Sequence, residues 1–280
     1  MTPRTAPLVP SIPNDEMHHC VGVFDSGLGG LSVLRVLSGT LPGVRWLYVA
    51  DSGHAPYGER SATHVLDRSD RITRFLRDQG ARVVVLACNT ATAVAIDTLR
   101  ARHRDLSFVG MEPGLKPALQ HSARARVGVM ATEATLRSPR FEALLSRWKG
   151  QAEVVCVPCP GLAQAIESGD LEAPAVRALV ARYTAPLRAQ AVDTVVLGCT
   201  HYPWVAPLIQ DALGPEVRLI DTAQAVAAQT ARVLSDAKAS TGEPSCLPVH
   251  AYTSGDSHTL QQFAQRRLPA LDWHVARLPV

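Results

Sequence analysis

Val83-Val84-Val85-Leu86-Ala87-Cys88-Asn89-Thr90 decides the fold. An apolar, β-branched run of strand length ends on a cysteine, an amide and a hydroxyl, and residues 90–102 then follow with helical spacing. The pattern returns as Val195-Val196-Leu197-Gly198-Cys199-Thr200. Three other strand-like segments recur in the same order, roughly 110 residues apart. Val21-Gly22-Val23 is echoed by Val127-Gly128-Val129, Leu47-Tyr48-Val49 by Val154-Val155-Cys156, and Phe108-Val109-Gly110-Met111 by Arg218-Leu219-Ile220-Asp221. Between them lie helix-like stretches at 31–41 and 63–79. Uniformly apolar strands alternating with helices predict parallel βαβ units, with sheets buried on both faces.

The expected fold is therefore α/β: two similar, pseudo-symmetric domains with mainly parallel sheets and an active site in the cleft between them. Residues 21–114 with 222–280 are expected to form the first domain and 115–221 the second. In this reading the helix near 223–234, the strand near 249–253 and a final helix return to the first domain. Residues 1–20 carry Pro3, Pro7, Pro10 and Pro13, show no periodicity, and read as a disordered tail in which Met17 offers an alternative start.

Composition narrows the function. The 280 residues are 46% hydrophobic, enough for a core without disulfide staples. The net charge is +3 and no Lys/Arg block occurs, which excludes a protein devoted to coating nucleic acid. No apolar run reaches the ~18 residues of a membrane span. Prolines interrupt the stretch that a signal peptide would need. A cytoplasmic location is expected, with the six cysteines as free thiols.

In parallel sheets, ligands bind beyond the carboxyl ends of the strands. Those ends offer Asp25-Ser26-Gly27, Asp51 through Pro56-Tyr57-Gly58, and Cys88-Asn89-Thr90 in the first half. In the second half they offer Thr132 and Thr135, Cys159-Pro160, and Cys199-Thr200-His201. A cysteine at a helix N-terminus is expected to have its pKa lowered from ~8.5 toward neutrality. Two such thiols, one from each domain, suit a reaction that takes a proton from one face of a carbon and returns one to the other. That is racemisation alpha to a carboxylate, assisted by Asp25 on one side and His201 on the other. The small polar residues Ser26, Asn89, Thr90, Thr132, Thr135 and Thr200 suit a small charged substrate.

Duller readings compete. A lone cysteine is most often a small core residue. Cys156-x-x-Cys159 lacks the second pair that a metal site needs, so no metal is expected. Gly27-Leu28-Gly29-Gly30 suggests a dinucleotide loop, but Ser32 stands where that fingerprint needs glycine, and Asp25 would repel a pyrophosphate. The glycines are expected instead to let backbone approach a small substrate closely, or to tighten helix–sheet packing. A two-lobed binding protein without turnover is a further alternative, although mirrored cysteines would serve no purpose there.

The motifs together resemble the bacterial glutamate racemases of the aspartate/glutamate racemase superfamily. The carriers are 21–30 (VGVFDSGLGG), Ala50-Asp51 through Pro56-Tyr57-Gly58-Glu59-Arg60-Ser61, 87–93 (ACNTATA), Glu112-Pro113-Gly114 and 198–203 (GCTHYP). The resemblance implies a cofactor-independent enzyme that interconverts L- and D-glutamate and supplies D-glutamate for peptidoglycan. It implies that Cys88 and Cys199 transfer the protons, that Asp25 assists Cys88 and His201 assists Cys199, and that Glu167, which follows the Cys159-Pro160 motif, is a further catalytic residue near the second cysteine. Asp25, Ser26, Pro56, Tyr57, Gly58, Cys88, Asn89, Thr90, Thr132, Thr135, Cys199, Thr200 and His201 match substrate contacts. His201 favours glutamate, since aspartate-specific relatives typically carry an acidic residue there. The implied partner is a small molecule, with neither nucleic acid nor membrane, and a homodimer is compatible. Ala134 stands where the family commonly has glycine.

Overall fold

The computed structural model describes residues 20–236 and 247–280. The expected tail and most of the Pro/Ser/Gly-rich connection at 239–248, with Cys246, lie outside the described residues.

The chain alternates strand and helix. It runs β1 (Cys20–Asp25), α1 (Leu31–Thr40), β2 (Arg45–Ala50), α2 (Ala62–Asp78), β3 (Val83–Leu86), α3 (Asn89–Arg102), β4 (Ser107–Val109) and α4 (Leu115–His121). It continues with β5 (Arg126–Ala131), α5 (Glu133–Leu136), α6 (Pro139–Ser146), β6 (Glu153–Pro158), α7 (Leu162–Glu167), α8 (Pro174–Ala189) and β7 (Thr194–Gly198). It closes with α9 (Ala206–Leu213), β8 (Arg218–Ile220), α10 (Ala223–Asp236), β9 (Val249–Thr253), α11 (Ser257–Arg267) and β10 (Trp273–Arg277).

Two sheets result, ordered β10-β9-β2-β1-β3-β4 and β6-β5-β7-β8. Every pairing is parallel. The core order 2-1-3-4 of the first sheet reappears as 6-5-7-8 in the second, so the repeat seen in the sequence is a repeat of topology. Residues of β1, β3 and β7 are buried throughout. Their valines and leucines thus lose water on both faces, each worth roughly 1.5–3 kcal/mol when fully buried.

Local chemistry sets the helices. Ser61 caps α2 by accepting from the His64 N–H, and Val65, Ile72, Phe75 and Leu76 form its buried stripe. Thr132 caps α5 and Ser138 caps α6 in the same way, with Pro139 at the start of α6. The chain passes between the sheets at 110–114 and again at 221–222, after which α10 packs against α1.

Two differences from the sequence reading stand out. The first strand begins at Cys20, whose thiol is buried and pushed up to about 12 by burial, so this residue belongs to the sheet and not to the tail. A tenth strand, β10, adds to the outer edge beside β9. Its sequence, Trp273-His274-Val275-Ala276-Arg277, buries Trp273 and leaves His274, Ala276 and Arg277 exposed. That short alternating edge pattern is weaker than a buried apolar run.

Candidate active site

The carboxyl ends of both sheets meet around one cavity of ≈ 160 Å³. This is below the roughly 300–1,000 Å³ of sites for drug-sized ligands. Ser26, Pro56, Tyr57, Gly58, Cys88, Asn89 and Thr90 line it from the first domain, and Thr132, Glu167, Cys199, Thr200 and His201 from the second. Twelve of the residues read from sequence are thus brought to one place.

The other two sit behind the wall. Asp25 is fully buried at the end of β1. Its carboxylate accepts from the N–H groups of Ser26 at 2.7 Å and Gly30 at 2.6 Å, and from the Thr200 hydroxyl at 3.3 Å. Asp25 reaches Cys88 through Ser26: the Cys88 thiol donates to Ser26 Oγ at 3.7 Å, and that hydroxyl lies 3.3 Å from Asp25 Oδ1. Thr135 joins the site through hydroxyls, 2.9 Å from Thr132 Oγ1 and 3.3 Å from Thr90 Oγ1. Thr90 Oγ1 also meets Thr132 Oγ1 at 2.9 Å, so this cluster bridges the two domains.

The two thiols occupy different electrostatic settings. Cys88 is the N-cap of α3 and accepts from the Ala91 N–H at 3.4 Å. The expected lowering of its pKa does not occur. Burial, then the Asp25 charge, pushes the Cys88 thiol well up, and the Ala91 and Ser26 hydrogen bonds offset only part of this. Cys199 is not followed directly by an α-helix; a short 3-10 turn, Tyr202–Val205, intervenes before α9. What stands beside Cys199 is His201, with Nδ1 at 3.5 Å from Sγ and Nε2 at 2.7 Å from Glu167 Oε1. Burial alone would lower the His201 pKa, but the bonds to Cys199 and Glu167 hold it well above the ordinary imidazole value. The ring is thus held between the Glu167 carboxylate on one nitrogen and the Cys199 sulfur on the other.

Asn89 is buried, and neither atom of its side-chain amide has a partner in the protein. A buried amide left unpaired costs about 1–3 kcal/mol, and such a group on a cavity wall is poised for a ligand. Gly198 of the second cysteine motif also lines the cavity, as do Ser52, Ala55, Ala163 and Gln164, which the sequence does not mark as site residues. Ser52 has a buried, unpartnered hydroxyl, and it directly follows the strand-end residue Asp51. Position after a strand is the signal that could have found it.

The glycine loop answers the dinucleotide question. A Cβ on Gly27 would stand 1.7 Å from Glu167 Oε1, and one on Gly29 2.4 Å from His201 Nδ1. The space before α1 where a pyrophosphate would sit is filled by acid–base side chains. Gly27 and Gly29 thus make their close approach to Glu167 and His201, while Gly30 packs the start of α1 against Asp25, Tyr48 and Ala87 of the sheet, the tight helix–sheet packing also expected of these glycines. Cys156 and Cys159 are free thiols, the first exposed and the second buried. Among the described residues no group of three or more His, Cys, Asp or Glu side chains is arranged to hold a metal. No helix among them is long and apolar enough to cross a membrane.

Known proteins match this architecture. The family model for Asp/Glu/hydantoin racemase covers residues 32–230. A glutamate racemase of Pseudomonas aeruginosa (strain UCBPP-PA14) is 53% identical over 215 residues, 77% of this chain and 81% of that one. The glutamate racemase isoform RacE1 of Bacillus anthracis superposes with a TM-score of 0.83 at 29% identity, covering 94% of this chain and 99% of that one. The Escherichia coli glutamate racemase, solved with L-glutamate and the activator UDP-MurNAc-Ala, gives 0.82 at 28% identity, covering 92% and 97%. Two α/β domains of like topology sharing one small cavity are the two-domain fold of these structures, and the matches define the class as amino-acid racemase, an isomerase. The chain belongs to the Asp/Glu/hydantoin racemase family, alongside the bacterial glutamate racemases.

Proposed function

We propose that this protein interconverts L- and D-glutamate by cofactor-independent, two-thiol proton transfer at the α-carbon, supplying D-glutamate for peptidoglycan in the cytoplasm. The observation that carries the reading is the placement of Cys88 and Cys199 on one small cavity, one from each domain. Residues 21–114 with 222–280 form the first domain in this reading, and 115–221 the second.

One thiolate takes the α-proton while the opposite thiol delivers another to the far face of the planar carbanion. The product is the mirror image and the two sulfurs have exchanged protonation states. The half-sites are asymmetric: Cys88 is bonded by Ser26 and the Ala91 N–H with Asp25 behind them, whereas Cys199 faces the His201–Glu167 pair. The Asn89 amide, the Thr90–Thr132 hydroxyls and the backbone around the start of α3 supply hydrogen bonds for the substrate's charged groups. Asp25 acts on Cys88 through Ser26, and Glu167 acts on Cys199 through His201.

Glutamate is favoured over aspartate by His201 and by the relatives, glutamate racemases 53% and 49% identical over the 215 and 241 residues aligned. Cys88→Ala and Cys199→Ala are each expected to abolish racemisation, by at least ~10²–10⁴-fold, with the melting temperature little changed. Full activity in either variant would refute the mechanism. Turnover of aspartate in preference to glutamate would keep the mechanism and refute the substrate.

A further inference from the structure

The loop between β1 and α1 belongs to the first domain, yet it packs onto acid–base groups of the second. The Leu28 N–H donates to Glu167 Oε1 at 2.7 Å, and the same oxygen lies 2.7 Å from His201 Nε2. His201 Nδ1 in turn faces Cys199 Sγ at 3.5 Å. Gly27 and Gly29 flank that donor, and a Cβ on either would collide with Glu167 or His201 at the distances given above. Neither glycine has a positive φ. Backbone freedom therefore does not explain their lack of side chains; the room needed by the Glu167–His201 pair does. Ser32 Oγ, at the start of α1, fastens the same contact by donating to the Thr200 carbonyl at 2.8 Å.

We propose that the Gly27-Leu28-Gly29 loop is a positioning element for the Cys199 half-site. The first domain's backbone fixes Glu167, Glu167 fixes the His201 ring, and His201 addresses Cys199. The second half-site is therefore complete only when the two domains are together. The hydrogen bonds to the Cys88 sulfur come from the first domain alone, from Ser26 and the Ala91 N–H, and the second domain touches this half-site only one step further back, where Thr200 donates to Asp25. The inference rests on the two-thiol reading above, and its test separates the two.

Racemisation rates in the two directions are tied together by the equilibrium between mirror images, so solvent exchange is the informative readout. Full-length wild type, Gly27→Ala and Cys199→Ala would each be incubated in heavy water with L-glutamate and, separately, D-glutamate. Deuterium entry at the α-carbon would be followed before chirality decays. Cys199→Ala identifies the enantiomer that Cys199 deprotonates. In Gly27→Ala, exchange from that enantiomer is expected to fall by roughly 10²-fold, the scale of a lost acid–base assistant. Exchange from the other enantiomer should persist, with label retained on the original face.

Adding Glu167→Asp, which withdraws the carboxylate by one methylene, should restore part of the lost exchange. Gly29→Ala, which presses on His201 directly, should show the same one-sided loss and serves if Gly27→Ala does not fold. Equal loss from both enantiomers in a folded variant, or no loss, would overturn the inference and leave the two-thiol reading standing. Absence of exchange in the wild type would sink both.

Discussion

Asn89 carries the sharpest consequence of a single residue. Its buried amide forms no bond within the protein, so it carries a desolvation cost that a ligand bound in the cavity can recover. Asn89→Ala should leave the melting temperature unchanged or raise it, while raising KM for glutamate by roughly tenfold or more, the ~1.4 kcal/mol or above expected for a hydrogen bond to a charged group. Thermal melts and steady-state kinetics on one preparation check this; a loss of stability together with an unchanged KM would contradict it. The two cysteines show how far residue-level reading extends. Their pairing was legible because the strand around each is repeated. Their protonation settings were not. A helix N-terminus predicts an acidified thiol, but Cys88 is pushed the other way by burial and by Asp25, 63 positions earlier in the chain.

At the scale of elements, the network around Asp51 holds together the ends of β2 and β9, the Pro56-Tyr57-Gly58 turn and α2. Asp51 accepts from Tyr57 Oη at 2.6 Å, from Arg68 at 2.9 and 2.8 Å, and from Ser254 Oγ at 2.7 Å. Burial alone would raise the Asp51 pKa, but the bonds from Arg68, Tyr57 and Ser254 hold it below the ordinary carboxylate range. Arg68→Met strands a buried charge and should cost about 3–5 kcal/mol in denaturant unfolding. The sign of the pH effect follows. Because the folded pKa is depressed, this stabilisation is present above the unfolded value of ~3.9 and is lost as pH falls through the folded value. Asp51→Asn should therefore flatten the acid limb of stability against pH; an unchanged limb would show that other carboxylates dominate it. The sequence marked Asp51 by its place after a strand and offered no sign of Arg68 or Ser254 as its partners. Buried strands and helical stripes leave a periodic trace, whereas a contact between Asp51 and Ser254 leaves none.

The whole molecule repeats one four-strand topology, and the two halves are joined by a shared apolar cluster, in which Trp204 packs edge-on against Phe263, and by polar contacts around the cleft. Arg140 on α6 bonds to Glu112 at 2.7 Å and to Asp97 on α3 at 3.0 Å, beside the Thr90–Thr132 bridge. This clasp is partly exposed, with Arg140 30% and Asp97 75% accessible, so its net worth is small. Arg140→Ala should change stability by less than ~1 kcal/mol. It should raise KM at low salt, with the difference from wild type shrinking toward physiological ionic strength, where the Debye length is about 8 Å. A salt-independent difference would argue for a packing role. The duplicated halves were readable because repetition is a property of sequence. Their mode of closure was not, since every contact that closes the cleft joins residues distant in the chain. The central claim is that both faces of the α-carbon are served in this cleft. Its most direct test is the purified wild-type protein in heavy water with L-glutamate and no added cofactor, following the α-proton signal and the circular dichroism of the amino acid together. The account predicts that both decay, and that they do so from D-glutamate as well. Loss of the α-proton with chirality retained would contradict it, leaving one working face and a wrong assignment for the second thiol.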